Sequence, residues 1–223
     1  MVLNNLNCEK FLLLLALSMH AYSLEEGTRL VKAARHAIEL YITTKEFRPE
    51  AVESTIREFN QRHGVFVAIY HYPTKTLRGC IGFPEGVGEI KKLVVEAAIA
   101  AATDDPRFVP VSHLEFEHSV LEVSILSKLE RINGNAEQIK KQVKVGRDGL
   151  VIEYGYHKGL LLPIVPVEER WSAPRFLDEV CIKAGLPAHT WMHGTASLYR
   201  FSSQVFREVE PRGRVEEVNL EEL

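Results

Sequence analysis

The stretch GVFVAIYHYPTKTLRGCIG, residues 64–82, decides the fold class. VFVAIY is a run of β-branched and aromatic residues, HYPTKT carries turn chemistry, and LRGCIG returns as the partner strand. A hairpin here commits the chain to antiparallel pairing. Further along, HSVLEVSILSKLE alternates as a strand with Leu121, Val123 and Ile125 on one face, and GLVIEYGYHKGLLLP places two strands around a glycine-containing turn. SLYRFSSQVFREV closes the fold as a strand, and the charged tail that follows, short of large apolar groups, is expected to fray.

Between these strands lie helical patterns. YSLEEGTRLVKAARHAIELYITT opens with Ser23 and Glu26 in capping-box register and carries Leu30, Val31, Ala34, Ile38 and Tyr41 at helical spacing. A weaker helix is predicted from Pro49 to about Gln61. GEIKKLVVEAAIAAATDD reads as a buried helix stopped by Pro106, GNAEQIKKQV as a modest one, and APRFLDEVCIKAGL as a clear one with Gly185 at its stop. Strands come mostly as hairpins and do not alternate strictly with helices. That pattern predicts an α+β protein, its antiparallel sheets packed with helices.

At 223 residues the chain can bury its own core without staples. Hydrophobic residues at 46% and charged residues at 26% argue against both disorder and a membrane protein. The net charge of −3 gives no global attraction to nucleic acid. The lysines of KKQVKVGR fit a solvated helix face better than a phosphate-binding patch. The cysteines Cys8, Cys80 and Cys181 form no CxxC pair and suit a reducing, cytoplasmic setting. An apolar run at 11–17 is too short to span a bilayer and is followed by no clear cleavage site. It is expected to be an added helix, or a segment ahead of a start at Met19.

LRGCIG is the most unusual piece. In an ideal strand, Leu77 and Ile81 face one way while Arg78 and Cys80 face the other, so a guanidinium would sit beside a thiol and favour the thiolate. Gly79 and Gly82 would leave the backbone open to a ligand or to another segment. A free cysteine is also most often a small buried apolar residue, and such glycines often mark a bend against a helix. His63, His71, His113 and His118 are available as bases, but none is marked. His189 and His193 lack a third ligand at a recognised spacing, so no metal is expected, and no cofactor. DDPRFVP delivers Asp105 and Arg107 around a rigid proline, either to fasten the turn or to face a cleft.

GVFVAI, LRGCIG, AAIAAATDDPRFVPV, LEVSIL, GLLLPIV, RW, FLDEVCIKAGL and YRF, in that order across residues 23–206, resemble the AMMECR domain family, named after the candidate protein of the AMME syndrome region. The resemblance implies two subdomains with a cleft between them, the larger built from both chain ends and the smaller from the middle. Their expected boundaries are about 23–62 plus 128–206 and about 63–127, with 1–22 an extension and 207–223 a tail. It implies that LRGCIG lies at or near the cleft, and links the family to Memo-like and radical SAM proteins. It supplies no reaction. Where the family usually has His and Gln, this chain has Asp148 and Ile164.

Two functional expectations follow. One is a cleft that binds a small anionic or peptide-like ligand through Arg78, Cys80, Asp105 and Arg107, in its enzymatic form with Cys80 as a thiolate nucleophile and the Gly79 and Gly82 amides holding negative charge. The other is a protein-interaction module in which LRGCIG shapes a docking groove.

Overall fold

Helix α1, Leu24–Thr44, starts where the sequence predicts. The Ser23 hydroxyl accepts the Glu26 N–H at 3.2 Å, and the Glu26 carboxylate accepts the Ser23 N–H at 2.8 Å. The computed structural model describes residues 22–222, so Cys8 and the apolar run at 11–17 lie outside the described residues. The second predicted helix is shorter than expected: α2 spans Pro49–Glu53 and tightens into a 3₁₀ turn at Ser54–Ile56. Ser54 and Thr55 donate their hydroxyls back to the carbonyls of Ala51 and Val52, which favours the tighter turn.

The hairpin forms as β1, Gly64–His71, and β2, Leu77–Phe83, followed by α3, Ile90–Thr103, the short α4, His113–Glu117, and β3, Ser119–Leu126. A second group follows: β4 (Glu130–Ile132), α5 (Ala136–Gln142), β5 (Gly149–Tyr154), β6 (His157–Leu161), α6 (Ile164–Glu168), α7 (Ala173–Lys183) and β7 (Ser197–Phe201). The chain then returns through β8, Ser203–Glu208, and β9, Val215–Glu217. All pairing is antiparallel, in a five-stranded sheet β2-β1-β3-β8-β9 and a four-stranded sheet β4-β7-β5-β6. The protein is α+β.

Each sheet has its own core. Leu30, Val31 and Ile38 of α1 and the alanine-rich face of α3 pack on Val65, Val67 and Ile69 of β1 and Leu121, Val123 and Ile125 of β3. Phe176, Leu177, Val180 and Cys181 of α7 pack on Leu150, Ile152 and Leu198. The lobes therefore divide differently from the expected boundaries. Residues 63–127 share a core with α1 and β8, and the separate lobe is about 130–201. The closing SLYRFSSQVFREV is two strands in two sheets, broken at Ser202. The tail is docked rather than frayed: β9 pairs with β8, and Val215 and Leu220 are buried.

A buried ion pair ties the chain ends together. Arg35 of α1 donates to both carboxylate oxygens of Glu208 at 2.6 and 2.5 Å and to the Ser119 carbonyl at 2.7 Å, while Glu208 also accepts the Leu121 N–H at 2.9 Å. Arg35→Ala strands that carboxylate, and the expected loss is about 3–5 kcal/mol in urea unfolding at neutral pH. A loss under about 1 kcal/mol would mean the pair does not join α1 to the sheet.

Candidate functional site

The five-stranded sheet has one face under α1 and α3 and another turned to the second lobe. On the second face the register aligns four side chains across four strands: Cys80 is paired with Ala68, Ala68 with Glu122, and Glu122 with Arg207. Ala68 contributes only a methyl group between the thiol and the carboxylate. The floor is open there.

The second lobe supplies the opposite wall through Leu160, Leu161 and Leu162 at the end of β6 and Ile164, Val165 and Glu168 of α6. Asp105, Pro106 and Arg107 close one side, and Lys183 stands exposed at the end of α7. The cavity holds about 410 Å³, within the range of small-molecule sites. A roomier groove of about 590 Å³ opens between the lobes near Arg62, Lys128 and Tyr199, but Cys80 and Glu122 are not on its walls.

Burial controls the chemistry of the floor. It pushes the Cys80 thiol up to about 12, the negative charge of Glu122 adds to the rise, and Arg107 offsets only part of it. Cys80 is therefore a neutral thiol at physiological pH. Burial likewise raises the Glu122 carboxyl, against the pull of Arg207, whose Nε donates to it at 2.7 Å. Glu168 is raised by desolvation and by the nearby Glu122 charge. Asp105 moves the other way: the Arg107 guanidinium and two backbone N–H groups hold its carboxyl at about 2.

The AMMECR1 family model matches residues 31–206. This chain belongs to the AMMECR1 family. The Methanocaldococcus jannaschii protein MJ0810 is 47% identical over 204 residues, covering 91% of this chain and all of that one. A Thermofilum pendens protein is 42% identical over 212 residues, covering 91% of this chain and 99% of its own. The crystal structure of an uncharacterized protein, PH0010 from Pyrococcus horikoshii, superposes with a TM-score of 0.82 at 43% identity, covering 87% of this chain and 97% of that one.

In this AMMECR1-family chain the signature residues divide. Cys80, Asp105 and Arg107 line the cavity, while Arg78, Gly79 and Gly82 are not on its walls. The reason is a bulge in β2: Ile69 pairs with Gly79 and Tyr70 with Leu77, so Arg78 is the extra residue. The bulge resets the alternation and puts Leu77, rather than Arg78, on the Cys80 face. Arg78 instead donates to Glu115 at 2.6 and 3.1 Å and to the Val109 carbonyl at 2.7 Å. It is not among the main groups that shift Cys80.

Nor are the glycines open to ligand. A Cβ at Gly79 would strike the Ala101 carbonyl of α3, and one at Gly82 would strike the Val65 carbonyl and the Phe66 ring. The edge of LRGCIG is occupied at Cys80. Asp105 accepts the Cys80 N–H at 2.8 Å and the Arg107 guanidinium at 2.9 and 2.7 Å, which caps the edge of β2.

Among the described residues no histidine lines the cavity: His71 lies 3.6 Å from Glu115, and His189 pairs with Asp178 at 2.8 Å. Among the described residues no group of three or more His, Cys, Asp or Glu could hold a metal, and no helix is long and apolar enough to cross a membrane. In KKQVKVGR, Lys140 pairs with Glu137 and Arg147 with Asp148, within their own segment. Asp148 is buried on Arg147 and the Lys144 N–H, away from the cavity, whereas Ile164 is part of the cavity wall. Glu122 and Ser124 were not singled out by sequence reasoning. They occupy the polar half of an alternating strand, which reads as solvent-facing until the second lobe is placed over it.

With Cys8 and Cys181 changed to Ser, Cys80 should react with iodoacetamide about tenfold or more slower at pH 8 than a free cysteine, and its rate should climb through pH 10 without a plateau. A plateau near pH 7 would restore the thiolate. Asp105 contributes stability that is complete above its unfolded value of 3.8 and is lost as the pH falls towards 2, because the unfolded chain takes up the proton first. Asp105→Asn should therefore lower the urea midpoint at pH 6 and flatten its decline between pH 4 and 2.5; an unchanged acid limb would count against the latch.

Proposed function

We propose that this AMMECR1-family protein binds a small, largely apolar molecule in the cavity between its two sheets. Cys80, Asp105 and Arg107 belong to the wall of that site, and Arg78 supports it from behind. The reading is carried by one observation: polar side chains that are almost wholly buried, Glu122 and Ser124, line a mainly apolar cavity of small-molecule size. A sheet face meant only to hold two lobes together would be filled by side chains. Here Ala68 leaves room.

Binding is favoured over nucleophilic catalysis because the half-buried thiol holds its proton and Gly79 and Gly82 pack against protein rather than line the cavity. The same neutral thiol persists in a reducing compartment, so we place the protein in the cytoplasm.

Ala68→Phe tests the site by filling it. Neutral aromatic fragments should shift the methyl NMR signals of Leu160, Leu162, Ile164 and Val165 in the parent protein and leave them unmoved in the folded variant. Equal responses in both proteins would place the fragments elsewhere and remove the reading.

A further inference from the structure

We propose that the ligand presents a protonated amine to Glu122 and Ser124 at the cavity floor, with its apolar body against the wall from Leu160 to Val165. This rests on the cavity being the ligand site, and it assigns the chemical class received there.

Glu122 and Ser124 are 2% and 4% exposed, and both line the cavity. They sit two residues apart on β3, so their side chains leave the sheet on the same face. Arg207 engages one carboxylate oxygen, Oε2, through Nε and Nη2. Among the described residues the other oxygen, Oε1, has no hydrogen-bond donor, and the Ser124 hydroxyl has no partner at all. Neither atom is sealed off by protein, so both can take a partner from the cavity, and an ionised carboxylate can only accept.

The cations nearby do not fill that need. Arg207 is already committed to Oε2, Arg107 is committed to Asp105, and Lys183 stands exposed on the rim. A carboxylate or phosphate placed on the floor would meet the charge of Glu122, while Lys183, which also lines the cavity, stands exposed to solvent. An ammonium group would give Oε1 a charge-assisted hydrogen bond and Ser124 a second one, within a mainly apolar cavity. The Cys80 thiol, across Ala68, is too weak a donor to compete. An anionic ligand gripped by Arg78, as the ideal strand predicts, finds no such seat, because the bulge removes Arg78 from this face.

The test compares three probes of similar shape at pH 7.5: phenethylamine, 2-phenylethanol and 3-phenylpropionate, followed by protein-observed NMR titration. The amine should bind about tenfold tighter than the alcohol, and the carboxylate weakest. Glu122→Gln should abolish the amine's advantage over the alcohol, and Ser124→Ala should weaken the amine by about threefold. An alcohol or carboxylate that binds as tightly as the amine, or an amine preference that survives Glu122→Gln, overturns the assignment but leaves the cavity reading standing. If none of the probes binds, the cavity reading itself falls. Should Glu122→Gln fail to fold through loss of the Arg207 pair, Ser124→Ala decides: unchanged amine affinity in that variant overturns the assignment.

Discussion

Everything at the site depends on how the chain crosses between its two sheets. It does so twice, at Ser127 after β3 and at Ser202 before β8, and the two crossings lie against one another. The Ser127 N–H donates to the Ser202 carbonyl and the Ser202 N–H to the Ser127 hydroxyl, each at 2.9 Å. Two short bridges bonded together restrict the rotation that a single linker would allow. Leu126, Val151 and Phe201 form an apolar cluster that includes residues on either side of the crossings. The second lobe is thereby held over the uncovered face of the five-stranded sheet, and the cavity is the space left where the two do not meet.

That constraint explains which parts of the fold were legible in the sequence. Local signals were sufficient for the hairpin, the capping box at Ser23 and the stop at Gly185, because each is decided within a few residues. The lobe boundaries were not, since β8 returns to the first sheet after some seventy residues in the other lobe and nothing local marks the change except the break at Ser202. The docked tail escaped for a similar reason: Val215 and Leu220 are isolated apolar residues whose partners lie in distant segments.

At the site, one simple rule misled. Period-2 alternation assigned Arg78 to the face of Cys80, but a single bulged residue reverses every assignment before it. Alternation also set Leu121, Val123 and Ile125 on one face but left Glu122 and Ser124, on the other, without a role. The period was right, and what covers the second face is not a local property. The signature segments from LRGCIG to DDPRF also carry architecture: Gly79 lets α3 approach, Arg78 holds α4 through Glu115 and the loop before it through Val109, and Asp105 caps the sheet edge. A motif dense in unusual residues need not be where ligand chemistry is richest. Here it builds one wall, and β3 supplies the floor.

The energetics of that floor favour a ligand role over a structural one. Replacing a buried ion pair such as Glu122–Arg207 with well-packed apolar residues is often neutral or stabilising, so the pair is weak support for the fold itself. A pair kept only for stability would have both carboxylate oxygens satisfied, as Glu208 does with Arg35 and the Leu121 N–H. The contrast lies within one molecule. Glu208, at the junction of α1 and the sheet, is fully engaged by protein, whereas Glu122, at the floor of a cavity, keeps one oxygen unengaged beside an unpartnered hydroxyl. The same sheet thus carries a carboxylate that closes a structure and one that leaves a site open.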